Sequence, residues 1–388
     1  MRNANLLIFI LAVGTFSILN TEVGIIGILP LIATTFSVNI SQAGLLVSLF
    51  ALIIAISGPT MPLLFSKINR KKVMLLVLGI FTISNIASML APNFTVALIA
   101  RVFPAFFHPI YCSLAFSVAS SLVDKEKAPQ ASAKVMMGVS AGIVIGIPIT
   151  SFIANNFSFQ SAMLFFTAVN FIAFIATMIF MPSMPVKERI SYGSQLNVLK
   201  KASTWIALFV VTSIGASLFS VYAYIAQYLQ SIANITGDFL TLALLIFGSS
   251  SILGNYLAGI LLSKNPIKTV TIYPFAFIFI YAMIFIFGSI NIYMGIFLIF
   301  WGILNGISNN IQQYWIVSAI PEAPDFANGL FISFGNLGTT LGTMVGGLLL
   351  SSFGVHYTIL GSIFFLVLSF IAIFIRVYAQ MQKRTALN

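Results

Sequence analysis

Long apolar stretches separated by short polar breaks fill this sequence from end to end. A helix needs about 20 apolar residues to cross a lipid bilayer, whereas a membrane β-strand is about half that length and alternates in polarity. Since lipid offers the backbone no hydrogen-bonding partner, the pattern predicts helices. Twelve spans are predicted, at residues 6–31, 42–64, 73–91, 95–122, 132–154, 161–181, 204–231, 239–262, 269–288, 291–316, 326–350 and 356–377.

Composition places the chain in the membrane. The 388 residues are 60% hydrophobic and only 6% charged, whereas soluble domains carry about 25% charged residues. The longest polar stretch, 182–203, is too short for a soluble domain. It predicts an N-terminal six-helix bundle at 1–181, a cytoplasmic central loop at 182–203 and a C-terminal six-helix bundle at 204–388. The fold class is therefore an all-α polytopic membrane protein.

The net charge of +11 does not indicate a nucleic-acid partner, because of where the charges lie. Lys and Arg cluster near the chain ends and on alternate connections, at 67–72, 125–134, 187–201 and 264–268, and the opposite connections have none. This positive-inside pattern predicts a multi-pass protein of a bacterial inner membrane with both termini in the cytoplasm. The partners expected are the lipid bilayer and a small-molecule substrate, with a monomer as the default state.

Motifs of several enzyme classes are missing from the sequence. It has no phosphate-binding P-loop, no H-E-x-x-H motif and no His, Cys and acid cluster at metal-ligand spacing. The single cysteine, Cys112, excludes a disulfide framework. We therefore expect a transporter rather than an enzyme, with no metal and no cofactor other than the proton gradient.

The two halves carry an internal repeat of 197–200 residues. Ser66-Lys67-x-x-x-Lys71-x-Val73 recurs as Ser263-Lys264-x-x-x-Lys268-x-Val270. A triplet of glycines also recurs, Gly138, Gly142 and Gly146 as Gly338, Gly342 and Gly346. Glycines four apart form a flat stripe on which a neighbouring helix can pack closely. Two parallel six-helix repeats predict the major facilitator fold, with a substrate cavity at the midplane.

Glu22 is the only carboxylate deep inside an apolar segment. Such a residue costs about 2.5–3.5 kcal/mol on insertion scales and is by default a functional hypothesis. Arg101 lies at similar depth in the fourth span. We predict that Glu22 carries the proton and that Arg101 is its electrostatic partner. The alternative is a static ion pair that only holds spans 1 and 4 together.

His108 shares a helix face with Arg101 and Cys112, at spacings of seven and four residues. Histidine titrates near neutral pH, so we predict a contact to substrate or proton. The alternative is a hydrogen bond to a neighbour. Pro109 follows directly and predicts a kink in the fourth span.

Uncharged polar side chains at helical spacing mark candidate substrate contacts in the second half. They are Tyr224 and Gln227 in span 7, Asn305, Asn309 and Gln312 in span 10, and Asn336 in span 11. Amides both donate and accept hydrogen bonds, which suits neutral, hydroxyl-rich solutes. The alternative role is hydrogen bonding between helices.

Several short motifs, in order along the chain, carry a family resemblance. They include Thr21-Glu22 followed by Gly27-Ile28-Leu29-Pro30, then Ser41-Gln42-Ala43-Gly44-Leu45-Leu46, Arg70-Lys71-Lys72-Val73, Ala100-Arg101-Val102, Gly142-x-x-x-Gly146-Ile147-Pro148 and Phe300-Trp301-Gly302-Ile303. Together they resemble the drug:proton antiporter branch of the major facilitator superfamily, and within it the sugar-efflux or arabinose-efflux-permease group.

The resemblance implies roles for three sets of residues. Arg101 matches an intramembrane arginine implicated in proton transfer. Lys67, Arg70 and Lys71 fall on the loop that latches the cytoplasmic side, although Ser66 replaces its aspartate. Gly142, Gly146 and Pro148 match a motif that favours export, although Ile147 interrupts its usual Gly-Pro pair.

These observations predict a proton-coupled antiporter that exports small neutral organic solutes, with arabinose-like sugars first. The alternatives are a multidrug or purine/nucleoside efflux antiporter, a proton-coupled importer, a non-transporting receptor or scaffold, and, more distantly, a membrane-embedded enzyme that uses His108.

Overall fold

The computed structural model describes residues 4–124, 127–185, 195–321 and 324–385. Arg2, residues 125–126 and residues 186–194 of the predicted central loop lie outside the described residues. Those that are described form helices and turns and contain no strand. They pack as two compact units, Met1–Ile190 and Ser191–Asn388.

The first unit is built around its N-terminal helix. Its helices are α1 (Ala4–Gly24), α2 (Leu29–Thr35), α3 (Ile40–Ala43), α4 (Leu45–Ser57), α5 (Met61–Leu64), α6 (Arg70–Met89), α7 (Phe94–Ala105), α8 (His108–Ser121), α9 (Ala128–Val144), α10 (Gly146–Asn156) and α11 (Phe159–Phe180). Helix α1 contacts α8, α9, α10 and α11, so it lies at the centre of this unit.

The second unit has fewer interruptions. Its helices are α12 (Ala202–Tyr222), α13 (Ile225–Ser231), α14 (Gly237–Lys264), α15 (Pro266–Phe287), α16 (Asn291–Ala319), α17 (Pro324–Phe353) and α18 (Thr358–Thr385). Helix α12 packs on α16, α17 and α18 and takes the central place that α1 has in the first unit.

Eleven helical segments of the described chain are long and apolar enough to span a membrane, against twelve predicted. The remaining predicted span, 326–350, lies within α17, whose 30 residues are more than enough to cross a bilayer. Glycines, threonines and Asn336 interrupt the apolar residues of α17, and three of the glycines, Gly338, Gly342 and Gly346, lie against the backbone of α12.

Proline interrupts three spans of the first unit, because it cannot donate the backbone hydrogen bond to the residue four positions earlier. Pro30 lies in the first turn of α2, after the 3-10 turn Ile25–Ile28. Pro109 lies in the first turn of α8, after the break at Phe106–Phe107, which confirms the predicted kink. Pro148 follows the break between α9 and α10.

The repeated glycines make the same contact in both units. A Cβ on Gly138 would overlap the carbonyl oxygen of Ala12 in α1, and a Cβ on Gly338 would overlap that of Thr212 in α12. These two partners are 200 residues apart, as the glycines are. The further pairs repeat this spacing: Gly142 with Phe16, Gly146 with Asn20, Gly342 with Ala216, and Gly346 with Ser220. The glycine stripes therefore bring α9 and α10 onto α1, and α17 onto α12, at backbone distance.

We predict that Gly342→Ala destabilises the protein by about 1–3 kcal/mol, because the added methyl group would overlap the carbonyl oxygen of Ala216. The matched control is Gly335→Ala on the same helix, where a Cβ meets nothing within 4 Å. The control should be neutral or slightly stabilising, since alanine favours helix by about 1 kcal/mol over glycine. Thermal unfolding in detergent measures both, and equal melting temperatures would contradict the packing role.

Candidate functional site

Glu22 lies in the last turn of α1, two residues before the helix gives way to the 3-10 turn Ile25–Ile28. The last carbonyl oxygens of a helix receive no hydrogen bond from within that helix. This end of α1 therefore needs donors from other elements. The Glu22 side chain is 17% exposed. A carboxylate is thus held at a helix break, mostly shielded but still reachable.

The Glu22 carboxylate contacts an imidazole. Its Oε2 lies 2.9 Å from Nε2 of His108, whose side chain is 7% exposed. The same nitrogen lies 3.8 Å from Sγ of Cys112, one helical turn further along α8. Because His108 begins α8 directly after the break at Phe106–Phe107, the break sets the direction of the imidazole toward α1. Sequence reasoning assigned His108 to substrate or proton, and the structure brings it to the carboxylate.

Arg101 contacts the same turn of α1 through the main chain. Its guanidinium donates to the carbonyl oxygens of Thr21 (2.8 Å) and Glu22 (2.6 Å), and its Nε donates to that of Leu46 in α4 (3.1 Å). The residue is 4% exposed. Arg101 therefore supplies the donors that the interrupted helix lacks, and it ties α1, α4 and α7 together.

The geometry refines the predicted pairing. Arg101 was expected to be the electrostatic partner of Glu22, and the two groups do interact electrostatically, but the hydrogen bonds of Arg101 go to the backbone and the described close contact of the carboxylate is with His108. The reason is that main-chain carbonyls freed by the helix break lie nearer and also need donors. Phe50 lies beside both side chains, with its ring centroid 5.2 Å from the guanidinium carbon of Arg101 and 6.2 Å from the ring centroid of His108.

A buried amide network on the neighbouring helices escaped the sequence analysis. The hydroxyl of Thr21 accepts from Nδ2 of Asn85 (3.3 Å) and of Asn170 (2.9 Å), and Asn170 also donates to the carbonyl of Ser17 (3.3 Å). All of these residues are buried. Asparagines inside the apolar spans 3 and 6 were the available signal. The network joins α6 and α11 to α1 directly beside Glu22.

The predicted substrate contacts divide by accessibility. Tyr224 is 1% exposed and donates to the carbonyl of Thr343 (2.9 Å), and Gln312 is 3% exposed and lies within α16. The Tyr224 hydroxyl thus joins the turn between α12 and α13 to α17, and the substrate role of Tyr224 and Gln312 stays a prediction. Gln227, Asn305 and Asn336 are half-buried, and Asn309 is exposed.

Three of these amides already make hydrogen bonds within the protein. Gln227 donates to the hydroxyl of Ser231 (2.6 Å), Asn305 to that of Ser251 (3.2 Å) and Asn336 to the carbonyl of Ile332 (3.0 Å). Each of these bonds leaves the side-chain oxygen as an acceptor. These residues keep the capacity to bind a solute, and their role stays a prediction.

The basic loop before α6 is anchored to the end of α11. Asn69 accepts from the backbone N–H of Lys71 (3.0 Å), and the ammonium of Lys71 donates to the carbonyl of Met178 (2.8 Å), in the last turn of α11. The backbone N–H of Arg70 donates to the carbonyl of Met184 (3.1 Å), and Lys67 is exposed. A cation at a helix C-terminus is favourable, so Lys71 has a structural contact here, and the gating role stays a prediction.

Arg376 repeats the behaviour of Arg101 in the second unit. It is 4% exposed and donates to the carbonyl of Trp315 (2.8 Å) and the hydroxyl of Ser318 (3.0 Å), near the end of α16. Its guanidinium carbon lies 4.2 Å from the Trp315 ring centroid. The sequence showed Arg376 only as one of the basic residues near the chain end. Trp315 is 1% exposed and belongs to this contact.

We predict that Arg101→Met lowers the free energy of unfolding by about 2–4 kcal/mol, because buried carbonyls lose charged donors. Arg101→Lys should recover part of this loss, since an ammonium can reach one or two of the three carbonyls. Thermal unfolding in detergent checks the order, with Lys72→Met at an exposed position as the control within about 0.5 kcal/mol. An unchanged melting temperature for Arg101→Met would exclude the structural role.

Comparison with known proteins agrees with this architecture. Residues 9–324 match the family described as Major Facilitator Superfamily. The chain is 31% identical over 360 residues to the uncharacterized MFS-type transporter YtbD of Bacillus subtilis (strain 168), covering 90% of this chain and 89% of YtbD. It is 27% identical over 348 residues to the inner membrane transport protein YdhP of Escherichia coli (strain K12), with the same shares of each chain covered.

Solved structures share the fold at low identity. A bacterial homologue of the human lysosomal transporter Spinster, inward-facing and occupied, aligns with a TM-score of 0.80 at 15% identity, covering 96% of each chain. The nucleoside transporter NupG aligns with a TM-score of 0.77 at 15% identity, covering 97% of this chain and 98% of NupG. The predicted major facilitator fold is confirmed, and the chain is a multi-pass membrane transporter that belongs to the major facilitator superfamily.

Proposed function

We propose that this protein exports small neutral organic solutes in exchange for protons across a bacterial inner membrane, with both termini in the cytoplasm. The observation that carries the proposal is the contact of 2.9 Å between the Glu22 carboxylate and the His108 imidazole inside two spanning segments. Intramembrane ionisable residues commonly mark proton pathways. The drug:proton antiporter resemblance and the helix-breaking motif of α9 and α10 support antiport in the export direction.

The pair has the chemistry for reversible proton binding. A carboxylate and an imidazole in contact hold one proton as an ion pair, and a second proton converts the carboxylate into a neutral acid that no longer attracts the imidazolium. Binding of that proton therefore weakens the contact between α1 and α8. Arg101 is the electrostatic partner of this carboxylate, and through its hydrogen bonds to backbone carbonyls it also fixes the turn of α1 on which Glu22 lies.

The substrate class follows from which accessible polar groups the second unit offers. Gln227, Asn305 and Asn336 are half-buried and Asn309 is exposed, and all four are uncharged amides. Amides recognise hydroxyl groups and other neutral donors and acceptors. Sugars fit this set, and nucleosides and amphiphilic drugs are the alternative substrates of the same mechanism.

We expect Glu22→Gln to reduce pH-gradient-driven arabinose transport in proteoliposomes at least about tenfold, because the amide cannot bind the proton. Exchange of arabinose without a gradient should continue, since the amide keeps the shape of the acid. Asp238→Asn is the matched control, as it neutralises an exposed carboxylate at the start of α14. A lipophilic cation dye and a nucleoside are tested beside arabinose to identify the substrate.

The direction of flux separates export from import. An antiporter moves solute toward the acidic compartment as protons leave it, whereas a proton-coupled importer moves solute and proton together. Gradient-driven transport that survives Glu22→Gln would exclude Glu22 as the coupling residue. The absence of flux for every solute would favour a receptor or scaffold.

His108 and Glu22 should act as one unit. Because residues in direct contact give non-additive effects, we predict that His108→Gln impairs gradient-driven transport and that Glu22→Gln/His108→Gln is no worse than Glu22→Gln alone. Initial rates under an imposed pH gradient measure this cycle. If the rate of the double variant were reduced by the product of the two single reductions, the two side chains would serve separate steps.

A further inference from the structure

The first unit has a groove that the proposed proton site does not use. It lies between the first half of α1 and α9, and its cavity has a volume of about 450 Å³. Ligand-binding cavities commonly have volumes of about 300–1,000 Å³. Ala12 and Gly138 both line the groove and approach each other at backbone distance. Neither has a side chain large enough to fill the space between the two helices, so the groove is open.

The walls of the groove are apolar. Phe9 and Met137 are 65% and 70% exposed, and Val13, Phe16 and Ala141 line the groove with them. Contiguous exposed apolar surface marks a binding site or a membrane contact. These walls therefore suit an alkyl chain, which loses nothing by leaving other lipid tails and gains a fixed place against the protein.

One end of the groove carries a positive charge. Asn5 and Lys134 are the polar side chains that line it, and Nζ of Lys134 donates to Oδ1 of Asn5 (2.9 Å). This bond uses one of the three donors of the ammonium, and it goes to an uncharged oxygen. Among the described residues Lys134 forms no ion pair. The ammonium thus keeps donors and an unbalanced charge for an anionic group.

The length of the groove fits one leaflet of a bilayer. From Asn5 to Phe16, α1 rises about 16 Å at 1.5 Å per residue. Half of the hydrocarbon core of a bilayer is about 15 Å thick. In the proposed orientation Asn5 and Lys134 lie at the cytoplasmic side, whose leaflet contains the anionic lipids. The charged end of the groove is therefore at headgroup level, and its apolar walls extend to the midplane.

We propose that this groove binds one anionic phospholipid of the cytoplasmic leaflet. The ammonium of Lys134 binds the headgroup phosphate, and one acyl chain lies along α1 and α9. Basic pockets between spanning helices on the cytoplasmic side recognise anionic headgroups in this way. The inference uses the proposed orientation but does not depend on the proposed transport activity.

The test titrates the full chain in detergent with dioleoyl phosphatidylglycerol or dioleoyl phosphatidylcholine and measures the first bound lipid by native mass spectrometry. The wild type should bind phosphatidylglycerol about fivefold more tightly, which is the contribution of one lysine to binding an anionic lipid. Lys134→Gln should abolish this preference and leave the affinity for phosphatidylcholine unchanged. Lys72→Gln, which removes an exposed lysine at the start of α6, is the matched control and should keep the preference.

A second variant tests the apolar part of the groove. Ala141→Phe places a ring in it and should weaken the binding of both lipids about tenfold, the effect of losing roughly two buried CH₂ groups. Met136→Phe is the control, because Met136 lies on the opposite face of α9 and does not line the groove. Melting temperatures without added lipid show whether each variant is folded.

Three results would overturn the inference, whether or not the chain transports a solute. One is equal affinity of the wild type and Lys134→Gln for phosphatidylglycerol. Another is unchanged lipid binding in a folded Ala141→Phe variant. The third is displacement of the bound phosphatidylglycerol by inorganic phosphate, which would assign the groove to a free anion, or by arabinose, which would assign it to the transported solute.

Discussion

The hydrogen bonds from Arg101 to the carbonyls of Thr21 and Glu22 are the interaction on which the first unit depends. Lipid supplies no donors, so a helix can break at membrane depth only where protein groups bond the carbonyls that the break frees. Arg101 does this and also bonds Leu46, which joins three spans at one point. The break in turn directs the Glu22 side chain toward His108. A buried cation thus holds the backbone, while the side chain of Glu22 contacts His108.

Small residues supply the other constraint, and they act alike in both units. Where glycine lies against a backbone carbonyl, as at Gly138 and Gly338, no side chain can intervene, and the central helix of each unit is fixed at backbone distance. This packing is the same in both units, whereas the side chains beside the central helix differ. The first unit has a carboxylate and an imidazole beside its central helix, and the second has the stacked rings of Tyr222 and Phe247.

Part of the candidate site was predictable from the sequence because a charged residue in a membrane-spanning segment carries a large free-energy cost. A carboxylate in an apolar segment is expensive, so Glu22 stands out in the sequence, and equal depth brings Arg101 and His108 into the same region. The partner of the carboxylate was not predictable in the same way. Arg101 and His108 lie seven residues apart on one span. Which of them contacts the Glu22 carboxylate depends on the position of the helix break, because the break frees backbone carbonyls that bind Arg101. Tyr224 shows the same limit, since its polar spacing fits a cavity but its hydroxyl bonds a neighbouring backbone.

The sequence alone determined the approximate positions of the long helices, the repeat and the fold class, because bilayer thickness and backbone satisfaction leave few ways to arrange such apolar segments. It also determined where α8 begins, since Pro109 cannot continue the helix before it. Only the tertiary structure decided which polar group meets which. A hydrogen bond between two helices forms only when donor and acceptor lie within a few tenths of an ångström of about 2.9 Å. Spacing along one helix fixes only the face on which a side chain lies.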